Sequence, residues 1–395
     1  MKTYLLLVFW TLFALPLTAQ LIPDPYLLKE GHQGLDLIYE MKFDAAEAHL
    51  AGLARAYPEH PGPPFLRALN RWWQTYISMS TRAYYDFIEG QLDESMSRNE
   101  ALEEAPGRHK EYVFFQFMAH ALEARLFAYR GEWFSAVNAA RKLVSPMKAS
   151  LKYVGTEPEF YMLAGLYHYY VASYHEFYPV IRPFLSFFPD GDKEKGLAEM
   201  VQAANTTSIA QVEAGFFLGT IYLDEIGQPG KGLKQTQFLA TRYPSNTKFE
   251  LEYARALVKA GKYAQGEARL QAMRDRYISQ PGFGTRNINS LESTTTSHLM
   301  IQVYHYLARV RLYGQQDFEG ARFFLDQSDH MAKLAAVDES IYLTGNVYLR
   351  GLIADEQGER EAARKAYRRV LDMEANETYK TLAKAGLSRP LTLAD

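Results

Sequence analysis

The 395-residue sequence reads as all-α, an array of paired helices, on three observations. From Pro23 onward apolar residues recur at helical spacing, in segments of about 12–20 residues. No run alternates apolar and polar residues between hairpin turns, as a half-buried strand would. The helices come in pairs whose landmarks return at about 34 residues, the pattern of an array in which each pair buries its apolar face on the next.

Taken in order, Gly34-Leu35-Asp36-Leu37-Ile38-Tyr39 closes a first helix and Phe43-Asp44-Ala45-Ala46 opens a second. Leu50, Leu53 and Pro58 follow, the proline ending the helix because it lacks an N–H. Pro61 to Gly107 fits as a long, irregular pair. Gly131-Glu132-Trp133 makes the turn of the next pair, with Ala136, Ala140 and Leu143 behind it. Thr156-Glu157-Pro158-Glu159 is expected to start a helix with Thr156 as its cap. Ala164-Gly165 lies in that helix, but its turn, Gly191-Asp192, comes 26 residues after Gly165. The extra residues are aromatic and proline-rich, and Pro179, Pro183 and Pro189 forbid one continuous helix. They define an insertion over 174–190, with Tyr178, Arg182, Phe184, Phe187 and Phe188 as its candidate contact residues. Three roles are open to it: packing on the array, lining a ligand or partner site, or dipping into a membrane surface. Further on, Leu218-Gly219 and Tyr222 mark a first helix and Arg242-Tyr243-Pro244 the end of a second. Thr247-Lys248-Phe249-Glu250 reads as a capping box. Gly261-Lys262-Tyr263 is the next turn, with Gly266, Leu270 and Met273 behind it. Ser279 to Ser297 is rich in Gly, Asn, Ser and Thr and reads as a surface loop. Leu307-Ala308 with Phe318, Ala321 and Leu325 form a looser pair. Gly351, Gly358, Ala363 and Tyr367 form the last, and Glu374 to Gly386 a solvating cap.

These positions resemble the tetratricopeptide repeat (TPR). In that family a small residue in helix A is followed twelve residues later by a small residue in helix B, then by a bulky and an apolar residue and a proline. Gly34 and Ala46 have that spacing. The resemblance covers nearly all of the chain after its first twenty residues and implies a right-handed α-solenoid of about eight TPR-like hairpins. The expected organisation is 20–278 as an N-terminal array, 279–297 as a loop, and 298–395 as a C-terminal pair with a capping helix.

The first residues, MKTYLLLVFWTLFALPLTAQ, have a lysine and then an apolar core from Tyr4 to Leu15, the size of a signal-peptide core and shorter than a membrane span. Residues 1–19 are expected to be an export signal cut at Ala19/Gln20, the alternative being an uncleaved anchor reaching Ile22. The Ala-Gln at the cut resembles signal peptides of Bacteroidetes, which implies a periplasmic or secreted protein. The sequence has no cysteine, so no lipoprotein anchor, disulfide or thiolate site is available. No later stretch approaches a membrane span, which makes integral membrane contact unexpected. The net charge of −3 argues against a nucleic-acid partner, which needs a basic surface. Oligomeric state is not legible.

No catalytic motif occurs, neither Gly-x-Ser-x-Gly, a phosphate-binding loop nor His-Glu-x-x-His. His168 and His175, like His298 and His305, lie seven apart, about 10 Å along a helix and too far to share a metal. No catalytic residue, cofactor or metal is therefore expected. TPR proteins line their concave face with helix A residues. Carrying those positions over implies a groove of Arg125, Tyr129, Tyr169, Tyr170, Asp224, Arg255, Lys259, Arg309 and Tyr313, aromatic and cationic, suited to an extended peptide or acidic side chains. The asparagine–lysine clamp by which some TPR domains hold a carboxylate is absent. The expectation is a non-catalytic scaffold for a protein or peptide partner, with a glycan or small-ligand binder as the alternative and a helical enzyme after that.

Overall fold

The structure, a computed structural model, describes residues 21–78, 84–177, 190–279, 291–338, 340–373 and 377–395. Those residues are all-helical and form antiparallel hairpins, each of an A and a B helix. The first four are α1 (Pro25–Tyr39) with α2 (Phe43–Ala56), α3 (Gly62–Ser78) with α4 (Tyr85–Glu103), α5 (His109–Tyr129) with α6 (Trp133–Lys142) and α7 (Val144–Ser150), and α8 (Glu159–Phe177) with α9 (Lys193–Asn205). The second four are α10 (Gln211–Thr220) with α11 (Pro229–Arg242), α12 (Thr247–Lys259) with α13 (Tyr263–Ile278), α14 (Leu291–Arg309) with α15 (Phe318–Leu334), and α16 (Ile341–Glu356) with α17 (Arg360–Asp372). α18 (Glu377–Ser388) covers the last hairpin. The hairpins stack in sequence as an α-solenoid, as the periodicity predicts.

The turns explain themselves locally. Gly261 sits at φ 71°, a left-handed conformation that glycine adopts without penalty. There the Lys262 N–H donates to Leu257 O at 2.9 Å and the Gly261 N–H to Val258 O at 3.0 Å, closing the end of α12. Gly131 and Gly358 repeat the device at φ 76° and 75°. Small residues then let A and B helices meet. A Cβ on Gly165 would lie 2.9 Å from Gly196 O, and one on Gly196 2.5 Å from Tyr169 N, so α8 and α9 touch backbone to backbone. Gly351 similarly accepts the fully buried Tyr367 ring.

Two A helices end in a π-helical turn, Ile221–Glu225 after α10 and Val310–Gly314 after α14. Each places an expected groove residue, Asp224 or Tyr313, on the wider coil.

The array does not stay open. α1 and α3 pack on the A helices of later hairpins. Asn246 Nδ2 donates to Tyr39 O at 2.8 Å and Tyr243 Oη to Asp36 at 2.6 Å. The Trp73 ring on α3 meets Phe216 on α10 and Phe249 on α12, with centroids 5.3 and 5.6 Å apart. α3 also packs on α14. The solenoid thus curls until its inner faces meet.

Several expected boundaries move. α12 is capped by Asn246, whose side chain accepts from the Lys248 and Phe249 N–H groups, and Thr247 is already inside the helix. Thr156 does not cap α8, which opens at Glu159; its hydroxyl instead donates to Tyr153 O. The loop expected over 279–297 is cut short because α14 begins at Leu291. Nor does it divide the core. The two buried clusters part inside α12, where Phe249 belongs to the first and Leu251, Ala254 and Val258 to the second. The reason is the closure: Phe249 faces Trp73 across the array, while Leu251 packs with its own successors. α8 runs to Phe177, so the first residues of the 174–190 insertion are helical. Tyr178, Arg182, Phe184, Phe187 and Phe188 lie outside the described residues. Among the described residues no helix is long and apolar enough to cross a membrane.

Candidate ligand-binding inner face

The nine expected groove residues all lie on A helices or their π turns, but closure has given most of them internal partners. On α5, the Arg125 guanidinium is held among three rings, 4.9 Å from Trp72, 5.2 Å from Tyr76 and 5.0 Å from Phe217. One turn on, Tyr129 packs edge-on to Trp72 at 5.5 Å, and burial pushes its hydroxyl up to about 12. On α8, Tyr169 is buried against Tyr170, and Tyr170 Oη donates to Glu225 at 3.1 Å. Burial raises the Glu225 carboxyl above its ordinary range, even against the donors Tyr169 and Tyr170.

α12 carries Lys248, Glu252, Arg255 and Lys259 on one stripe, at steps of four, three and four. Together with Asp224 they form a chain of alternating charge. Lys248 Nζ is 2.8 Å from Glu252, Arg255 is 2.6 Å from Glu252 and 2.8 Å from Asp224, and Lys259 is 2.7 Å from Asp224. Arg255 also donates to Tyr306 Oη at 3.1 Å. Burial works to raise the Glu252 carboxyl, but Arg255 and Lys248 overcome it and hold it below its usual range. Asp224 is lowered in the same balance, by Arg255 and Lys259 against burial. A buried network of this kind fixes geometry more surely than it adds stability, because desolvation offsets much of the attraction.

α14 and the π-helical turn after it bear the matching stripe Gln302, Tyr306, Arg309 and Tyr313. Arg309 stacks on Tyr313 at 5.2 Å and makes no ion pair or hydrogen bond among the described residues; its buried Nε has no acceptor. Gln302 is similarly unbonded, with a buried and unpartnered Oε1. His305, beside them, bonds Asn346 Oδ1 through Nδ1 at 2.8 Å.

Where α3 and α5 meet α12, α14 and α16, a cavity of about 230 Å³ remains. Tyr76, Ile77, Tyr129, Leu251, Leu299 and Tyr342 supply its apolar and aromatic wall, and Lys248, His298 and Gln302 its polar part. Of the nine expected residues only Tyr129 lines it. Sequence reasoning missed Lys248, Gln302 and Tyr342, and missed the α3 rings that fill the groove. The available signal was Arg71-Trp72-Trp73-Gln74-Thr75-Tyr76, too aromatic for a helix facing water. A wider groove of about 780 Å³ separates the B helices α15 and α17, its rim closed by Arg350 on Asp326 at 2.7 Å and Asp329 at 2.8 Å.

Buried histidines elsewhere are paired singly. His168 Nδ1 is 2.7 Å from Glu199, and His60 bonds Glu111. Among the described residues no three His, Asp or Glu side chains gather to hold a metal.

No known family profile matches the chain. No curated protein matches it. Among solved structures it is similar to the Rap protein complexed with Competence and Sporulation Factor, at 10% identity and a TM-score of 0.46, over 92% of this chain and 100% of that one. It is also similar to the human IFIT1 dimer with PPP-AAAA, at 12% identity and a TM-score of 0.43, over 84% of this chain and 68% of that one.

Proposed function

We propose that the protein is a non-catalytic TPR-like scaffold that binds an extended segment of a protein or peptide on its inner face. The observation that carries this reading is the cavity of about 230 Å³ between the two halves of the array, walled by tyrosines and aliphatic side chains. Its size suits one apolar side chain of a partner, a small number of convergent polar groups giving orientation. The inner cations are largely neutralised by Glu252 and Asp224, which favours peptide over nucleic acid. To test this, fluorescent random hexapeptides are panned on the full chain and on Ile77→Trp, which fills the cavity. Enrichment on the wild type with about tenfold weaker binding to the variant, roughly 1.4 kcal/mol, is the expected result. Failure to enrich any peptide overturns the reading. A second reading, a glycan or small-ligand site, has in its favour the tyrosines Tyr76, Tyr129 and Tyr342 around one cavity, since sugars stack on rings. It gains if neutral monosaccharides, and no peptides, protect the cavity.

The same proposal includes export. The apolar core Tyr4 to Leu15 and the small residue at Ala19 support it. N-terminal sequencing of the protein recovered from outside the cytoplasm is expected to begin at Gln20; a chain found there that begins at Met1 rules out the cleavage, and recovery in the cytoplasmic fraction alone rules out the export.

A further inference from the structure

The inner face carries two stripes of identical spacing on consecutive A helices, and only one is internally satisfied. On α12, Lys248, Arg255 and Lys259 each have a carboxylate partner. On α14, among the described residues, Arg309 has none and Gln302 bonds nothing, although each has a buried polar atom that requires a partner. A buried donor or acceptor left unpaired costs about 1–3 kcal/mol, and more beside a charge. These two differ from two other buried side chains, both amides, that carry an unpaired atom. Asn70 and Asn99 each have an unpaired Oδ1 but donate through Nδ2, at 3.0 Å in both cases. Gln302 and Arg309 make no hydrogen bond at either end among the described residues.

Their spacing matters. Seven helical residues separate them, about 10 Å along the axis at 1.5 Å per residue. An extended chain covers that distance in about three residues at 3.3 Å each. A primary amide with both ends free matches the N–H and C=O of one main-chain peptide group. A guanidinium with no acid beside it, among the hydroxyl-bearing rings Tyr306, Tyr313 and Tyr379, matches a carboxylate. Burial raises the Tyr313 hydroxyl and pushes Tyr379 up to about 12, so both remain donors at neutral pH.

We infer that Gln302 and Arg309 form a two-point receptor for an extended peptide: Gln302 takes a main-chain peptide group, and Arg309 a carboxylate about three residues away. The cavity beside Gln302 then receives the apolar side chain next to the paired peptide group. The carboxylate is either the partner's C-terminus or an Asp or Glu side chain. The inference rests on the peptide-binding reading above and specifies which peptide.

Three hexapeptide pools are panned on the full chain at fixed salt: free C-terminus without Asp or Glu, amidated with Asp and Glu, and amidated without them. Enrichment from the first pool, the second or both is expected, and the pool that enriches names the source of the carboxylate. Amidating a peptide selected from the first pool, or replacing its acid by the amide in the second, should weaken it at least tenfold. Arg309→Gln should remove the same factor, and Arg309→Lys should restore most of it. Gln302→Leu should weaken every selected peptide about tenfold without changing the preference for a carboxylate. Arg309→Gln and Gln302→Leu should melt no lower than the wild type, since neither native side chain bonds anything it would leave behind among the described residues; if one does not fold, the amidation result still decides. Equal enrichment from the third pool, or selected peptides that bind both variants as they bind the wild type, overturns the inference and leaves peptide binding standing. No enrichment from any pool overturns peptide binding itself.

Discussion

Replacing Trp73 by alanine should destabilise the protein by about 3–5 kcal/mol, the range for removing a large buried ring. Trp73 is 1% exposed and sits where α1, α3, α10 and α12 meet. Its ring is edge-on to Tyr39 at 5.7 Å and close to Phe216 and Phe249, and its Nε1 donates to Glu213 at 2.7 Å. Glu213 is itself a buried carboxyl, raised by burial against Arg125 and its two donors Trp73 and Tyr39. Removing the indole leaves it with Tyr39 alone, at 3.1 Å. Trp73→Phe keeps most of the ring and loses only the donor, so its cost should be smaller, about 1–3 kcal/mol for a buried acceptor deprived of a hydrogen-bond donor. The effect goes beyond stability. Trp73, Tyr76 and Ile77 share α3, so loosening the seam displaces one wall of the cavity. Urea unfolding measures the first consequence and binding of a selected peptide the second. A loss under about 1 kcal/mol for Trp73→Ala would mean that the seam between the two halves contributes little.

Below neutral pH, His305 should be a main source of lost stability. Burial is the largest cause of its depressed pKa of about 3, with Arg309, Arg255 and Lys259 acting in the same direction and the bond to Asn346 against them. The groups packed around it are Tyr306, Tyr342, Tyr379 and the carbon of Gly345, none of them acidic. Asn346 Nδ2 donates to Ser328 and Asp329, which leaves its Oδ1 to accept from the neutral imidazole. In the unfolded chain the same side chain titrates near 6.5. As pH falls below that value the unfolded state binds a proton that the folded state refuses. Stability therefore drops by about 1.4 kcal/mol per pH unit until the folded imidazole also protonates. Glu213 and Glu225 act in the opposite sense, because their raised folded pKa values mean that the folded state takes up protons first. The measurement is consequently a difference: wild type minus His305→Gln, by urea unfolding at pH 6.5 and pH 5. The wild type should lose about 1.6 kcal/mol more than the variant over that interval. Parallel pH profiles would show that the imidazole is not held neutral by its surroundings.

The helices themselves were legible because their signals are local. Apolar spacing, turn glycines such as Gly261 and Gly358, and small residues such as Gly165 each act within one hairpin. The boundaries that moved did so for equally local reasons, Asn246 outcompeting Thr247 as a cap because its side chain reaches two N–H groups. The groove was legible only as a set of positions. The resemblance to the TPR implied inward faces for Asp224, Arg255 and Lys259 but could not show that they bond one another. It could not show that Trp72 and Tyr76 would cover Arg125. Lys248 and Gln302 went unnoticed because a lysine near a helix start and a glutamine in mid-helix are ordinary surface residues until something covers them.

By itself, then, the sequence determined the helical class, the order of hairpins, the close approach within each and the absence of any cysteine chemistry. The curl of the array, the filling of its inner face and the location of the cavity were decided by tertiary structure. The contacts that set them join residues 140 and 207 positions apart, Trp73 with Glu213 and Asn246 with Tyr39. A period of 3.6 says which side of a helix is apolar and nothing about which distant helix will cover it. Once α3 covers α10, α12 and α14, burial makes every unpaired polar atom there costly, and that is what separates Gln302 and Arg309 from the satisfied residues around them.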